Sequence, residues 1–143
     1  MFGLVQGEKN KVEGGKRPRS SMAPTIVLES GKPFLTVGSP GGSTIITTVL
    51  QILVDRLDQG LTLPQAIADP RASQRNGVTT SAEPAFLSLP ERAALEARGH
   101  HFVNGGEIGA ATGIEFLPGG GVLAAAEPVR RGGGSALVEV PSP

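Results

Sequence analysis

Gly38-Ser39-Pro40-Gly41-Gly42-Ser43 follows a short apolar strand pattern and runs at once into an apolar helical one. A chain passing from strand to helix leaves its first-turn N–H groups unpaired, and glycine lets a ligand approach that backbone closely. Such a corner suits an anion or a developing oxyanion, and it also serves as ordinary capping before a helix. Upstream, at roughly the reach of one extended segment, lies a second polar cluster, Arg17-Pro18-Arg19-Ser20-Ser21-Met22-Ala23-Pro24.

Between the two corners, Thr25 to Glu29 and Phe34 to Val37 are strand-like runs separated by Ser30-Gly31-Lys32-Pro33, the pattern of an antiparallel hairpin with a glycine turn. Beyond the glycine block, Ile45, Ile46, Val49, Leu50, Leu53 and Leu57 follow helical spacing. Ser43 or Thr44 is the expected N-cap and Gly60 the stop. The spacing predicts a mostly buried helix. Its β-branched residues lower intrinsic propensity, so packing against a sheet must hold it.

Further on, Thr62 to Ala68 reads as a short helix ended by Asp69-Pro70, and Leu89 to Arg98 as an amphipathic helix stopped by Gly99. Val78 to Ala82, Ile114 to Leu117 and Val122 to Ala126 supply more short strands, the last two joined by Pro118-Gly119-Gly120-Gly121. No βαβ repeat is visible, and the mixture is α+β. Residues 1–19, with five Lys or Arg against two Glu, read as a loop or extended arm ahead of a domain over 20–143.

With 143 residues, the chain has the length of one domain or of part of a larger one. Its 21 glycines and 12 prolines demand many tight turns between short elements. Thirteen basic residues balance thirteen acidic ones, and only five Phe could serve as stacking platforms. That composition argues against a nucleic-acid partner. Absence of cysteine removes disulfides and thiol nucleophiles but does not fix the compartment. Met1 to Glu8 lacks the pattern of a signal peptide, and no run reaches membrane-spanning length.

Few side chains stand out for chemistry. His100 and His101 are the only histidines, and adjacent strand positions point to opposite faces, so no metal site is expected there. No cofactor is expected either. The Gly119-Gly120-Gly121 and Gly132-Gly133-Gly134 runs lack the downstream Lys-Ser/Thr of a phosphate loop and read as turns. No Gly-x-Ser-x-Gly elbow is present. Ser20 and Ser21 offer two hydroxyls and adjacent N–H groups, suited to holding a carboxylate or to local turn and capping bonds.

Taken together, Gly15-Lys16-Arg17-Pro18, Ser20-Ser21-Met22, Pro24-Thr25-Ile26-Val27, Gly38-Ser39-Pro40-Gly41-Gly42-Ser43 and Ile45-Ile46-Thr47-Thr48 resemble the γ-glutamyltransferase family in order and spacing. Phe2-Gly3-Leu4, Ala68-Asp69-Pro70-Arg71 and, more loosely, Glu127-Pro128 extend the likeness over nearly the whole chain. The resemblance implies the N-terminal nucleophile hydrolase fold, an αββα sandwich of which this chain is a part. It also implies a γ-glutamyl substrate such as glutathione, cleaved with transfer of the γ-glutamyl group to water, amino acids or peptides. On the matching positions, Ser20 and Ser21 would bind the α-carboxylate, and Gly41 and Gly42 would form the oxyanion hole. Arg19 stands where the family's Arg-Pro-x-Ser-Ser-Met pattern carries an apolar residue.

The family's nucleophile is a threonine freed by self-cleavage, whose own amine acts as base. No threonine here matches it, because Thr47 and Thr48 lie inside the predicted helix and read as packing residues. The acidic segment that binds the substrate amine and the large subunit's arginine would fall before Phe2. The chain is therefore expected to be the later part of the small subunit, inactive alone and needing the upstream chain or large subunit. The related cephalosporin and glutaryl acylases keep the fold with another acyl group, and a non-catalytic relic is a further alternative. The family includes periplasmic and extracellular members, but the compartment is left open.

Overall fold

A computed structural model describes residues 7–18 and 20–137. Phe2-Gly3-Leu4, which carries part of the resemblance, and Arg19, which departs from it, lie outside the described residues. Residues 11–18 are exposed throughout and follow a 3-10 turn, Glu8–Asn10.

The hairpin forms as β1 (Thr25–Glu29) and β2 (Lys32–Gly38), paired antiparallel. Ser30 and Gly31 both take positive φ, 50° and 77°, the two-residue turn whose twist matches that of the strands. Lys32 and Pro33, expected in the turn, belong to β2 instead. Val27 pairs with Leu35 and Leu28 with Pro33, so Phe34 is the extra residue of a bulge, a position that tolerates a proline without an N–H.

Helix α1 (Ile45–Leu57) follows a 3-10 turn, Gly42–Thr44. Thr44 is its N-cap residue but makes no side-chain bond into the helix. Only one side of α1 is buried, at Thr48, Val49 and Ile52, while Ile46 and Leu50 are more than half exposed. The expectation of a mostly buried helix is corrected here, because its apolar residues extend beyond the single face that meets the sheet. Helix α2 (Leu63–Ala68) starts at a capping box of Thr62 and Gln65. The helix read over 89–98 forms as the shorter α4 (Glu91–Glu96), and a one-turn helix that the pattern does not predict, α3 (Pro84–Leu87), precedes it.

Two sheets result. Strands β6 (Thr112–Phe116) and β7 (Val122–Ala126) extend the hairpin into the antiparallel order β1-β2-β6-β7. Strands β3 (Ala72–Ser73), β4 (Thr80–Ala82) and β5 (Phe102–Asn104) form a small second sheet. There β4 and β5 run parallel, with α3 and α4 in the crossover between them, a single strand-helix-strand unit that the residue pattern does not announce.

Helices α1 and α2 cover one face of the larger sheet. Leu35, Val37, Val49, Ile52, Leu63, Ala66, Ile67, Ala111 and Ala125 make the core. Arg56 of α1 reaches Glu115 of β6 through two hydrogen bonds of 2.9 and 2.6 Å and lies over the Phe34 ring, fastening the helix to the sheet. The opposite sheet face carries Ile26, Leu28, Ile114, Phe116 and Val122, all exposed.

Candidate functional site

At the end of β2 the chain makes the corner that the glycine block predicts. Gly41 has φ 148° and ψ 5°, and Gly42 has φ 59°. A side chain at Gly41 would be strained by its φ and would put its Cβ 2.9 Å from Thr44 Oγ1 and 3.4 Å from Gly109 Cα. A ψ near zero places the amide nitrogens of Gly41 and Gly42 on the same side of the Gly41 Cα.

Three successive carbonyls of this corner each accept a hydrogen bond from a hydroxyl. Ser39 Oγ donates to Pro40 O at 2.7 Å, Thr44 Oγ1 to Gly41 O at 2.9 Å and Ser21 Oγ to Gly42 O at 2.7 Å. The Thr44 and Ile45 amides add bonds to Gly41 O and Gly42 O. Among the described residues, neither the Gly41 nor the Gly42 N–H reaches an acceptor. The corner therefore has three carbonyls engaged by hydroxyls and, among the described residues, two donors uncommitted, an arrangement able to bind a negatively charged oxygen.

Ser21 Oγ brings the upstream serine cluster into contact with the glycine corner. Ser20 Oγ accepts the Met22 N–H at 3.2 Å, which does not consume its proton. Arg75 donates to Ser43 Oγ, adding an exposed guanidinium at the corner's edge. A cleft of roughly 700 Å³ starts beside the two corners at Pro24 and Gly38 and follows the outer sheet face past Ile26, Ile114 and Ala126 to Leu137.

Thr47 Oγ1 donates to Thr44 O at 3.0 Å and lies 2.7 Å from Ser73 Oγ, while Thr48 is buried against the core. Both threonines hold α1 in place. His100 and His101 are exposed ahead of β5, and the His100 ring stacks on Phe102. Among the described residues no cluster of three or more His, Cys, Asp or Glu could hold a metal.

Behind the corner lies a buried charge cluster that the sequence does not expose as a unit: Arg71, Glu83, Glu127 and Arg130, each at most 5% accessible. Arg130 donates to Glu83 through Nε and Nη2, each at 2.5 Å, and to Glu127 Oε1 at 2.8 Å. Arg71 donates to the carbonyls of Ile108 at 2.8 Å and Ile67 at 2.5 Å, and its Nη2 lies 3.1 Å from Glu127 Oε2. Glu83 also accepts the amides of Ile108 at 2.8 Å and Arg71 at 2.9 Å. Burial works against the charged form of Glu83, but the bonds from Arg130, Ile108 and Arg71 outweigh it and hold its carboxyl below the usual range. Two of the four residues sit in the quoted Asp-Pro-Arg and Glu-Pro segments. A charge placed beside a strand end in each case is the only local sign of the cluster.

Both polar backbone groups of Ile108 are thus held by the cluster. The next residue, Gly109 (φ 74°), packs where its Cβ would lie 2.8 Å from Ser39 Oγ, and the Ala110 N–H donates to Ser39 Oγ at 3.1 Å. A continuous path of bonds therefore runs from the buried charges to the glycine corner.

The sequence profile described as Gamma-glutamyltranspeptidase matches residues 1–137. The Escherichia coli (strain K12) glutathione hydrolase proenzyme is 40% identical over 133 residues, covering 90% of this chain and 22% of that protein. An acylase, the ACY 1 proenzyme of Pseudomonas sp. (strain SE83), is 33% identical over 84% of this chain and 21% of its own length. Among solved structures, a highly active mutant of Gamma-glutamyltranspeptidase from Pseudomonas nitroreducens superposes with a TM-score of 0.84 at 32% identity, over 98% of this chain and 73% of that one. The chain spans about a fifth of the length of the curated relatives it matches. The fold is the α+β N-terminal nucleophile hydrolase fold.

Proposed function

The chain belongs to the γ-glutamyltranspeptidase family, and on that premise we propose that it supplies the oxyanion and carboxylate contacts of a γ-glutamyl-transferring enzyme acting on glutathione. The threonine nucleophile comes from residues outside these 143. Its hydroxyl attacks the γ-carbonyl, its amine takes the proton, and the carbonyl oxygen gains charge as the tetrahedral intermediate forms. The N–H groups of Gly41 and Gly42 donate to that oxygen, and collapse expels the amine of the leaving peptide. Water, an amino acid or a peptide then takes the γ-glutamyl group. The Ser20 hydroxyl, with the adjacent backbone N–H of Ser21, holds the α-carboxylate and fixes the carbonyl relative to the corner, while the Ser21 hydroxyl is committed to Gly42 O. The outer apolar face of the sheet is where the second sheet of the sandwich lies.

The observation that carries this assignment is the pair of uncommitted amides at Gly41 and Gly42, tied to the serine cluster by the 2.7 Å bond from Ser21 to Gly42 O. To test it, the chain is mixed with the upstream portion of a relative and hydrolysis of γ-glutamyl-p-nitroanilide is followed. Activity is expected only in the mixture. Replacing the Gly42 amide N–H with an ester oxygen should cut kcat by about 10²–10³-fold. Full activity of the ester variant would remove the oxyanion role, and inactivity of a folded, associated mixture would favour a relic.

A second assignment, acylase activity, rests on the acylase likeness and on the serine pair, which addresses a carboxylate without specifying an amine. A glutaryl group differs from a γ-glutamyl group by lacking the α-ammonium. Faster hydrolysis of a glutaryl anilide than of its γ-glutamyl counterpart by the assembled enzyme would select the acylase.

A further inference from the structure

We infer that Ser39 is a positioning residue for the oxyanion corner, acting through the planarity of the Pro40–Gly41 peptide. This rests on Gly41 and Gly42 being the oxyanion donors. In a trans peptide the C=O and the following N–H share one rigid plane and point in opposite directions, and the described bonds include no cis peptide. Holding Pro40 O therefore fixes where the Gly41 N–H points. Ser39 Oγ holds it at 2.7 Å.

What separates this from an ordinary local turn bond is the second contact. Ser39 Oγ also accepts the Ala110 N–H at 3.1 Å, from a residue 71 positions away. Its hydroxyl proton is thereby directed toward Pro40 O, and the oxygen is held from outside the loop. Gly109 closes on the same hydroxyl with no room for a side chain, since an added Cβ would lie 2.8 Å from Ser39 Oγ and 2.9 Å from Thr48. Thr44 gives the adjacent plane the same treatment: its Oγ1 and N–H bind Gly41 O, which fixes the Gly42 N–H. Thr44 acts from within the local turn, whereas Ser39 links the corner to the loop gripped by Arg71 and Glu83. The first donor is thus preorganised by a framework that touches no substrate, and a misdirected N–H would weaken binding of the intermediate more than binding of the ground state.

The test is steady-state hydrolysis of γ-glutamyl-p-nitroanilide by the assembled enzyme, this chain with the upstream portion of a relative, with rates normalised to titrated active sites. Ser39→Ala should lower kcat about tenfold with KM within about twofold of the parent. Ser39→Cys, similar in size but a weak donor, should fall the same way, and Ser39→Thr should restore most of kcat. A merely structural role would reduce the number of titrated sites and leave kcat per site unchanged, and that result in Ser39→Ala and Ser39→Cys overturns the inference. A Gly41 ester variant, which removes the very N–H that Ser39 aligns, run in parallel, separates the two levels. If it loses activity while Ser39→Ala keeps its kcat, only the positioning role falls; if it keeps full activity, the oxyanion role falls and the positioning role with it.

Discussion

Glu83→Gln tests the buried charge cluster with almost no change in shape. Each Glu83 oxygen accepts two bonds, Oε1 from Ile108 N and Arg130 Nε, Oε2 from Arg71 N and Arg130 Nη2. Whichever oxygen becomes the amide NH2, it confronts two donors, so two bonds are lost and donors face donors. The cluster also moves from two positive and two negative charges to a net positive charge in a buried site. Two lost bonds to a charged acceptor amount to about 3–6 kcal/mol, in line with about 3–5 kcal/mol for removing one partner of a buried ion pair. At about 4 °C per kcal/mol for a chain of this size, the melting midpoint should drop by about 12–20 °C at pH 7.

Acid should erase the difference between variant and parent. The Glu83 carboxyl is held below its ordinary value in the fold, so its stabilisation is fully present above the unfolded-state pKa and is lost as pH falls through the folded-state pKa. Once the parent's Glu83 is protonated, it has given up the same interactions that Gln lacks. Circular dichroism melts of both chains from pH 7 to pH 3 measure the gap. A gap of only a few degrees at pH 7, or a large one that stays constant down to pH 3, would refute the role given to the charge at Glu83.

Other perturbations separate the remaining roles. Ser20→Ala should raise KM for the γ-glutamyl substrate about tenfold with kcat preserved; steady-state kinetics of the assembled enzyme decides this. Gly41→Ala combines a forbidden φ with a 2.9 Å approach to Thr44 Oγ1, so turnover should fall by about 10²-fold while the circular dichroism spectrum is retained. Asp55 is pushed above the ordinary aspartate value by burial and by the charge of Asp69. Asp55→Asn should therefore raise the melting midpoint at pH 7, with the advantage vanishing below the ordinary aspartate pKa, where both forms are neutral.

Which elements could be read from the residues follows from how local their causes are. Strand β1, the start of α1 and the bounds of β7 depend on punctuation by Gly, Pro and Ser and on apolar periodicity, and each lies where that punctuation puts it. The bulge at Phe34 is already less local, since it is defined by which residues β1 pairs with. Ile46 and Leu50 fit the helical period as well as Val49 does, yet they point away from the sheet. Periodicity identifies a helix but not how much of its circumference finds a partner. The parallel pairing of β4 with β5 depends on a crossover through α3 and α4, and a three-residue strand holds too little information to announce it.

For the site, the same distinction separates groups from geometry. Gly41, Gly42, Ser20 and Ser21 stand out as candidates because they sit in compact motifs that resemble the family's, their residue types alone suiting ordinary turns and caps equally well. Ser39 does not, because its significance lies in Ala110 and in the orientation of a neighbouring peptide plane. Glu83 illustrates the point further. In the sequence it is a charged residue before Pro84, the ordinary start of a short helix, whereas in the fold it grips Ile108 from one side while Arg71 grips it from the other. The link from the buried charge cluster to the glycine corner runs through contacts 25 and 71 positions apart in sequence, Ile108 N to Glu83 and Ala110 N to Ser39. A backbone hydrogen-bond donor has no side chain by which selection can tune its direction. Its alignment has to be imposed through the carbonyl on the other side of its peptide, which is where the hydroxyls of Ser39 and Thr44 are found.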